Sequence, residues 1–234
     1  MPSVGDTIEV LDHGFVRLDA AEATDLSVVN GARVSFLQMK QGPDAEVDAK
    51  DEGLIRFLMR EGHASPFEHN LFRFHVRCPI AVAREWMRHR WSSFNEHSLR
   101  YSAAIDDFYI PSAGQVRTQV GKPGAYRFEP VDPETATRAQ DLLGKHYQEA
   151  WNRYQELLEM GVARELARLV LPVGIYTEFY WSVNARALMN FIALRNADQA
   201  MWEIRQYAAA VEDFFAAAMP ATHAAFVEFG RRAP

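Results

Sequence analysis

Residues 70–88 read NLFRFHVRCPIAVAREWMR, and their pattern decides the fold. Phe72, Phe74 and Val76 alternate with Arg73, His75 and Arg77. A period of two sends the apolar set to one face and the charged set to the other, which predicts a strand over 70–78 with one buried face. Pro79 follows, and a helix can start there because its first N–H groups have no partner to lose. That helix carries Ala81, Arg84, Glu85 and Arg88, with Arg84 and Arg88 one turn apart on the same face. From Arg90 to Tyr101, Ser, Asn and Glu replace periodic apolar residues, so the segment reads as a loop.

Before this unit, Gly14–Ala20 reads as a short strand, and Thr24 with Asp25 offers a helix N-cap. Residues 38–50 are polar with Gly42-Pro43, the composition of an exposed loop. Asp51–Glu61 puts Leu54, Ile55, Leu58 and Met59 at helical spacing, with Gly62 as the stop. After it, Pro123, Gly124, Pro130 and Pro133 punctuate the middle of the chain. A long amphipathic helix aligns Leu143, Tyr147, Ala150, Tyr154, Leu157 and Leu158, and Gly161 ends it. Ala163–Leu171 forms a short helix with Arg164 and Arg168 at i, i+4. Gly174–Val183 is rich in β-branched and aromatic residues and reads as a strand, with helix as the alternative. Asn184 caps a helix running to about Arg195, and Asp198 caps the last helix, which stops before Pro220. The sum is a helix-rich α+β pattern with an antiparallel-containing sheet, without regular β-α-β alternation, and residues 1–234 read as a single domain.

The composition narrows the function classes. The formal charge of −6 argues against a surface that binds polyanions throughout, so no nucleic-acid partner is expected. No stretch approaches the roughly 20 apolar residues of a membrane span. The one cysteine, Cys78, ends an apolar strand face and reads as buried packing; a cytoplasmic setting follows as the simplest one. Against that acidic background, Arg84, Arg88, Arg90 and Arg100 fall within 17 residues, a concentration suited to a small phosphorylated ligand.

The chemistry gathers in residues 88–101, RHRWSSFNEHSLRY. Arginine presents a planar fork to phosphate, His89 adds a donor tunable near neutral pH, and Asn95 and Glu96 can read ring edges. A solvated basic helix end accounts for the same residues as well. Arg88-His89-Arg90, seven residues and then Ser98 resemble the RHRx7S signature of flavin-dependent thymidylate synthases. Gly62–His69 (GHASPFEH), Arg168–Pro172 (RLVLP) and Trp181–Phe191 (WSVNARALMNF) resemble further blocks of that family, in family order.

The resemblance implies an α/β subunit assembled as a homotetramer with shared active sites, binding FAD, dUMP, methylenetetrahydrofolate and NADPH, and converting dUMP to dTMP. It implies that Arg88, His89 and Arg90 hold FAD together with Ser65, Glu96, Asn184, Arg186 and Asn190, with Ser35 as a further candidate. It places the uracil nucleotide against Glu85, Trp86, Met87 and Arg88, against Glu96, His97, Ser98, Leu99 and Arg100, and on Arg168. It sets Arg195 against the pyrimidine as the activating, catalytic charge. Two positions depart from relatives: Glu85 stands where some have glutamine, and Leu99 where some have glycine. A carboxylate accepts from a uracil N–H but cannot donate to a carbonyl.

Two other classes remain on residue types alone. His63, His69, His75, His89 and His97 fall in 35 residues, as in a metal-dependent hydrolase, but no HExxH-type ligand pair occurs and no metal is expected. Arginines interleaved with Trp86, Trp91 and Phe94 could stack bases, but the acidic balance opposes a nucleic-acid module. Trp151, Trp181, Trp202 and the Ala208–Ala218 stretch read as core packing.

Overall fold

The computed structural model describes residues 1–42, 44–122 and 125–234, so Pro43, Pro123 and Gly124 of the punctuation above lie outside the described residues. Strand β1 (Thr7–Val10) pairs antiparallel with β2 (Gly14–Glu22), and β2 pairs antiparallel with β3 (Leu71–Pro79). The period-two pattern is realised in β3, where Phe72, Phe74, Val76 and Cys78 are buried. Val16 of β2 faces Val76 and Leu18 faces Phe74, so the buried face continues across the pair. Strands β4 (Ser92–Glu96), β5 (Arg117–Val120), β6 (Arg127–Pro130) and β7 (Tyr176–Asn184) follow along the chain. The main sheet has the order β1-β2-β3-β7-β4, and β5 and β6 form a separate antiparallel ribbon.

The helices are α1 (Asp25–Arg33), α2 (Ala49–Arg60), α3 (Ser65–Glu68), α4 (Ile80–Trp86), α5 (Pro133–Glu159), α6 (Arg164–Ala167), α7 (Ala185–Arg195), α8 (Trp202–Ala218) and α9 (Pro220–Glu228). With an antiparallel sheet beside them, the fold is α+β. Among the described residues no helix is long and apolar enough to cross a membrane.

Two compact units share the chain. The first comprises Met1–Arg77, Arg84–Asn95 and Glu178–Pro234. In it α8 lays Tyr207, Val211, Phe214 and Phe215 on the sheet, with Phe214 6.0 Å from Phe74 and Phe215 6.4 Å from Phe72 between ring centroids. The fit at Gly14 is so close that an added Cβ would lie 1.9 Å from the Tyr207 hydroxyl. Trp86, fully buried, packs between Trp181 at 5.2 Å and Phe191 at 4.6 Å, and truncating such a residue to alanine costs roughly 3–5 kcal/mol. The second unit comprises Cys78–Ala83 and Glu96–Thr177. Its core joins Tyr154 of α5 to Ala104, Ala167 and Ile175, and the Tyr154 hydroxyl accepts from the Ala104 N–H at 3.0 Å.

Several sequence expectations hold in the fold. Thr24 and Asn184 cap α1 and α7, accepting from the N–H groups of Ser27 and Ala187. Cys78 is buried, and burial pushes its thiol well above the ordinary range. The stretch read as strand or helix over 174–183 resolves to strand β7 at Tyr176–Asn184, with Gly174 in the turn before it. Other expectations shift. Helix α2 begins two residues before Asp51, because Asp48 is its cap and Asp51 returns a bond to the Asp48 N–H in a capping box. Helix α4 ends at Trp86, so Arg88 lies in the following turn and does not share a helix face with Arg84. Residues 92–96, expected as loop, form the edge strand β4. Asp198 pairs with Arg205 at 2.9 Å, and Met201 takes the cap position of α8. Pro220 starts α9 instead of marking the end of helical structure, as its fixed φ suits a first turn.

Candidate active site

The turn after α4 and the last turn of α7 meet inside the first unit. Arg195 closes α7 and uses three of the five N–H donors of its guanidinium there. Nε donates to His89 Nε2 at 3.0 Å, Nη1 to the Glu85 carboxylate at 3.1 Å, and Nη2 to the Glu85 carbonyl at 3.0 Å. A guanidinium only donates, so His89 Nε2 carries the lone pair and Nδ1 carries the proton. Burial, and then the Arg195 charge, hold the His89 pKa down at about 4, so the imidazole is neutral at physiological pH. Its ring stands edge-on to Phe191 at 5.0 Å, and its carbonyl accepts from the Ser92 hydroxyl at 2.6 Å. The arginine side chain is 22% exposed, enough to present its charge to a ligand while its base is fixed.

Arg195 lines a cavity of about 250 Å³ with Arg88, His89, Arg90 and Asn190, over an apolar wall that includes Val183 and Leu194. A second cavity of about 410 Å³ has Arg73, Glu22 and Asn184 on its walls. The two share Trp91, Ser92 and Val183 on their walls, so they lie side by side, and together they make up the trough. Trp91 stands at the junction and is 77% exposed, a bare aromatic face beside arginines. Among the described residues, neither Arg88 nor Arg90 has an acidic partner. Arg73 and Glu22 were not singled out from sequence, and the polar side of the alternating strand at Arg73 was the signal available for them; Trp91 was noted there only as an aromatic among arginines.

The remaining expected residues fall into distinct places. Asn184 spends its side-chain oxygen capping α7. Arg186 donates to the Pro234 main-chain oxygen at 3.0 Å and lies 3.9 Å from Glu68. Ser65 is exposed at the start of α3, and Ser35 is exposed in a short 3-10 turn among exposed Val34, Phe36 and Leu37. The Trp86 indole is buried in the core, so only its main chain is available to a ligand. Met87 is half-buried in the turn.

Glu96, His97, Ser98, Leu99, Arg100 and Arg168 belong to the second unit. There Glu96 accepts from the Thr177 hydroxyl at 2.8 Å, and His97 Nε2 meets the Ser102 hydroxyl at 2.6 Å. The Ser98 hydroxyl accepts from the Arg100 N–H at 3.3 Å. Leu99 packs against the Tyr154 cluster with a negative φ, so replacing glycine there introduces no left-handed strain. Glu165 gathers two arginines: its carboxylate pairs with Arg100 Nε at 3.2 Å, and its carbonyl accepts from Arg168 Nε at 3.3 Å. Among the described residues no group of three or more His, Cys, Asp or Glu could hold a metal ion.

An arginine-rimmed trough with an exposed aromatic face, on an α+β scaffold, is the class of site these features define. Residues 18–221 match the family model described as thymidylate synthase complementing protein. The chain is 46% identical over 221 residues to the flavin-dependent thymidylate synthase of Thermosipho africanus, covering 94% of each chain. It is 46% identical over 222 residues to that of Thermus thermophilus, covering 95% of this chain and 78% of the relative. Among solved structures it is similar to the UMP/dUMP methylase PolB of Streptomyces cacaoi bound with 5-Br UMP. That match has 42% identity and a TM-score of 0.87, covering 98% of this chain and 100% of the other. The chain belongs to the flavin-dependent thymidylate synthase family. Its activity is that of a flavin-dependent methyltransferase making thymidylate.

Proposed function

We propose that the chain, acting as a single catalytic domain in a cytoplasmic homotetramer, converts dUMP to dTMP with methylenetetrahydrofolate as carbon donor and NADPH as reductant. The observation that carries this reading is Arg195: a guanidinium held by a neutral imidazole and a carboxylate on the wall of an arginine-rimmed trough. The trough fits FAD in its chemistry, because Arg88 and Arg90 offer charge to a diphosphate while Trp91 and Val183 offer apolar surface to a ring. Bound there and reduced at the expense of NADPH, FAD would supply the hydride that completes the methyl group. Tetrahydrofolate and NADP+ leave with dTMP.

The chain's own residues bind, orient and polarise. Arg88, His89, Arg90, Asn184, Arg186 and Asn190 hold the flavin, with Ser65, Ser35 and Glu96 reaching it in the assembly. Glu85, Trp86, Met87 and Arg88 border the uracil, the Trp86 contribution coming from its main chain. Glu96 and His97 to Arg100 take the nucleotide, and Arg100 and Arg168 exchange part of their hold on Glu165 for its phosphate. Arg195 faces the pyrimidine and stabilises its ionised form, in which the ring carbon is a better nucleophile. A neutral His89 suits this role, since a second cation there would compete for the same anion. The exposed Val34, Phe36 and Leu37 beside Ser35 give the tetramer apolar surface to cover.

The purified holoenzyme should be yellow, oxidise NADPH faster once dUMP is added, and release dTMP in proportion. The solved relative is named as acting on both UMP and dUMP, so UMP belongs in the same assay; this reading expects the higher kcat/KM with dUMP. Protein that neither takes up FAD nor binds dUMP overturns the reading.

A further inference from the structure

Arg195 is the last residue of α7, so its reach depends on where that helix ends. The residue beyond it, Asn196, closes the helix by donating its N–H to the Ile192 carbonyl at 2.8 Å. The Asn196 side-chain amide does not return to its own helix. It donates to Glu212 Oε2 of α8 at 2.8 Å. Glu212 is a buried carboxylate, its side chain 8% exposed, and such a group needs partners on both oxygens. Oε2 also accepts from Arg231 Nη1 at 2.5 Å, and Oε1 meets His223 Nε2 of α9 at 2.9 Å. One carboxylate therefore ties the end of α7 to α8, α9 and the tail beyond α9.

The tail side of this knot is held in an uncommon conformation. Helix α9 ends in a Schellman motif, with the Gly230 N–H on the Val227 carbonyl and the Arg231 N–H on the Phe226 carbonyl. Gly230 and Arg231 have φ of 75° and 56°, and a left-handed arginine persists only where its surroundings hold it. The bond to Glu212 supplies that hold. Asp198, in the short connection between α7 and α8, pairs with Arg205 of α8 at 2.9 Å.

We propose that Glu212, through Asn196, is a positioning residue for the methylation step: it fixes the end of α7 and so aims Arg195 at the pyrimidine. Neither residue lines the trough. Asn196 is adjacent to Arg195 in sequence, whereas Glu212 acts across sixteen residues through the bond its buried carboxylate accepts from the Asn196 amide. The chemistry is sensitive to such support, since a displacement of about 1 Å in a catalytic group can cost on the order of a hundredfold in rate. The inference rests on the assignment of Arg195 to the pyrimidine.

The test is a double-mutant cycle on the FAD-loaded enzyme. Asn196→Ala is the clean probe, because it leaves Glu212 paired with Arg231 and His223; Glu212→Gln is the stronger one. Both should retain bound flavin and its reduction by NADPH in the absence of dUMP. Both should lower kcat for dTMP formation, Asn196→Ala by about tenfold, with a smaller change in KM for dUMP. Arg195→Lys alone should lower kcat further, and in that background Asn196→Ala should have little additional effect, because its route to the chemistry is already broken. An unchanged kcat in Asn196→Ala overturns the proposal, as does a loss that multiplies in full on top of Arg195→Lys. Full kcat in Arg195→Lys alone would instead remove Arg195 from the chemistry, and with it the reading on which the proposal stands.

Discussion

Arg88–Asn95 and Glu96–Tyr101 are adjacent in sequence, yet His89 of the first and Arg100 of the second are held in opposite ways. In the first stretch His89 is packed against Phe191, carries a displaced pKa and locks Arg195 together with Glu85. In the second, Arg100 and Glu165 are each more than half exposed and pair in solvent, where such a bond contributes little to stability. The difference teaches how the site divides its work. The groups proposed to polarise the ring are packed against the core and preorganised, while those proposed to take the phosphate sit on the surface and can change partner when an anion arrives.

Breaking the packed side should have the largest effect. His89→Ala removes the acceptor of Arg195 Nε and opens space beside Phe191, and kcat for dTMP should fall by about a hundredfold, measured at saturating dUMP. A fall of less than threefold would mean that Arg195 does not need the imidazole. On the exposed side, Arg168→Ala should raise KM for dUMP by about tenfold with kcat nearly unchanged, since a phosphate contact binds ground and transition states alike. The melting temperature of that variant should stay close to wild type. A kcat defect as large as that of His89→Ala would erase the contrast.

A smaller effect concerns acid. The folded pKa of His89, about 4, lies below the ordinary histidine value of 6.5, so the unfolded chain takes up a proton first as pH falls. Its contribution to stability is complete above pH 6.5 and is lost progressively down to about pH 4. Thermal unfolding followed from pH 7 to 4 should show a shallower decline in His89→Gln than in wild type. Parallel curves would place the acid sensitivity elsewhere.

Legibility in the sequence followed the range of the interaction. The strand at 70–78, the stripe of α5 and the caps at Thr24 and Asn184 depend on neighbours within a few residues, and they were readable. Strand β4 was not, because SSFNE carries no apolar alternation and its strand character comes from pairing at the sheet edge. Pro220 was read as a stop when it is equally suited to begin α9. The motif residues were identified, but the bond between Arg195 and His89 spans 106 residues and has no local signature. The support from Glu212 is further hidden: the Ala208–Ala218 stretch around it reads as core packing, and nothing local names the partners its carboxylate finds.

The most direct test takes flavin content and product formation from one preparation of Arg195→Ala. The account predicts a yellow protein with wild-type FAD stoichiometry whose dTMP formation falls by at least about a hundredfold. Loss of the flavin, or dTMP formation at the wild-type rate, would contradict it.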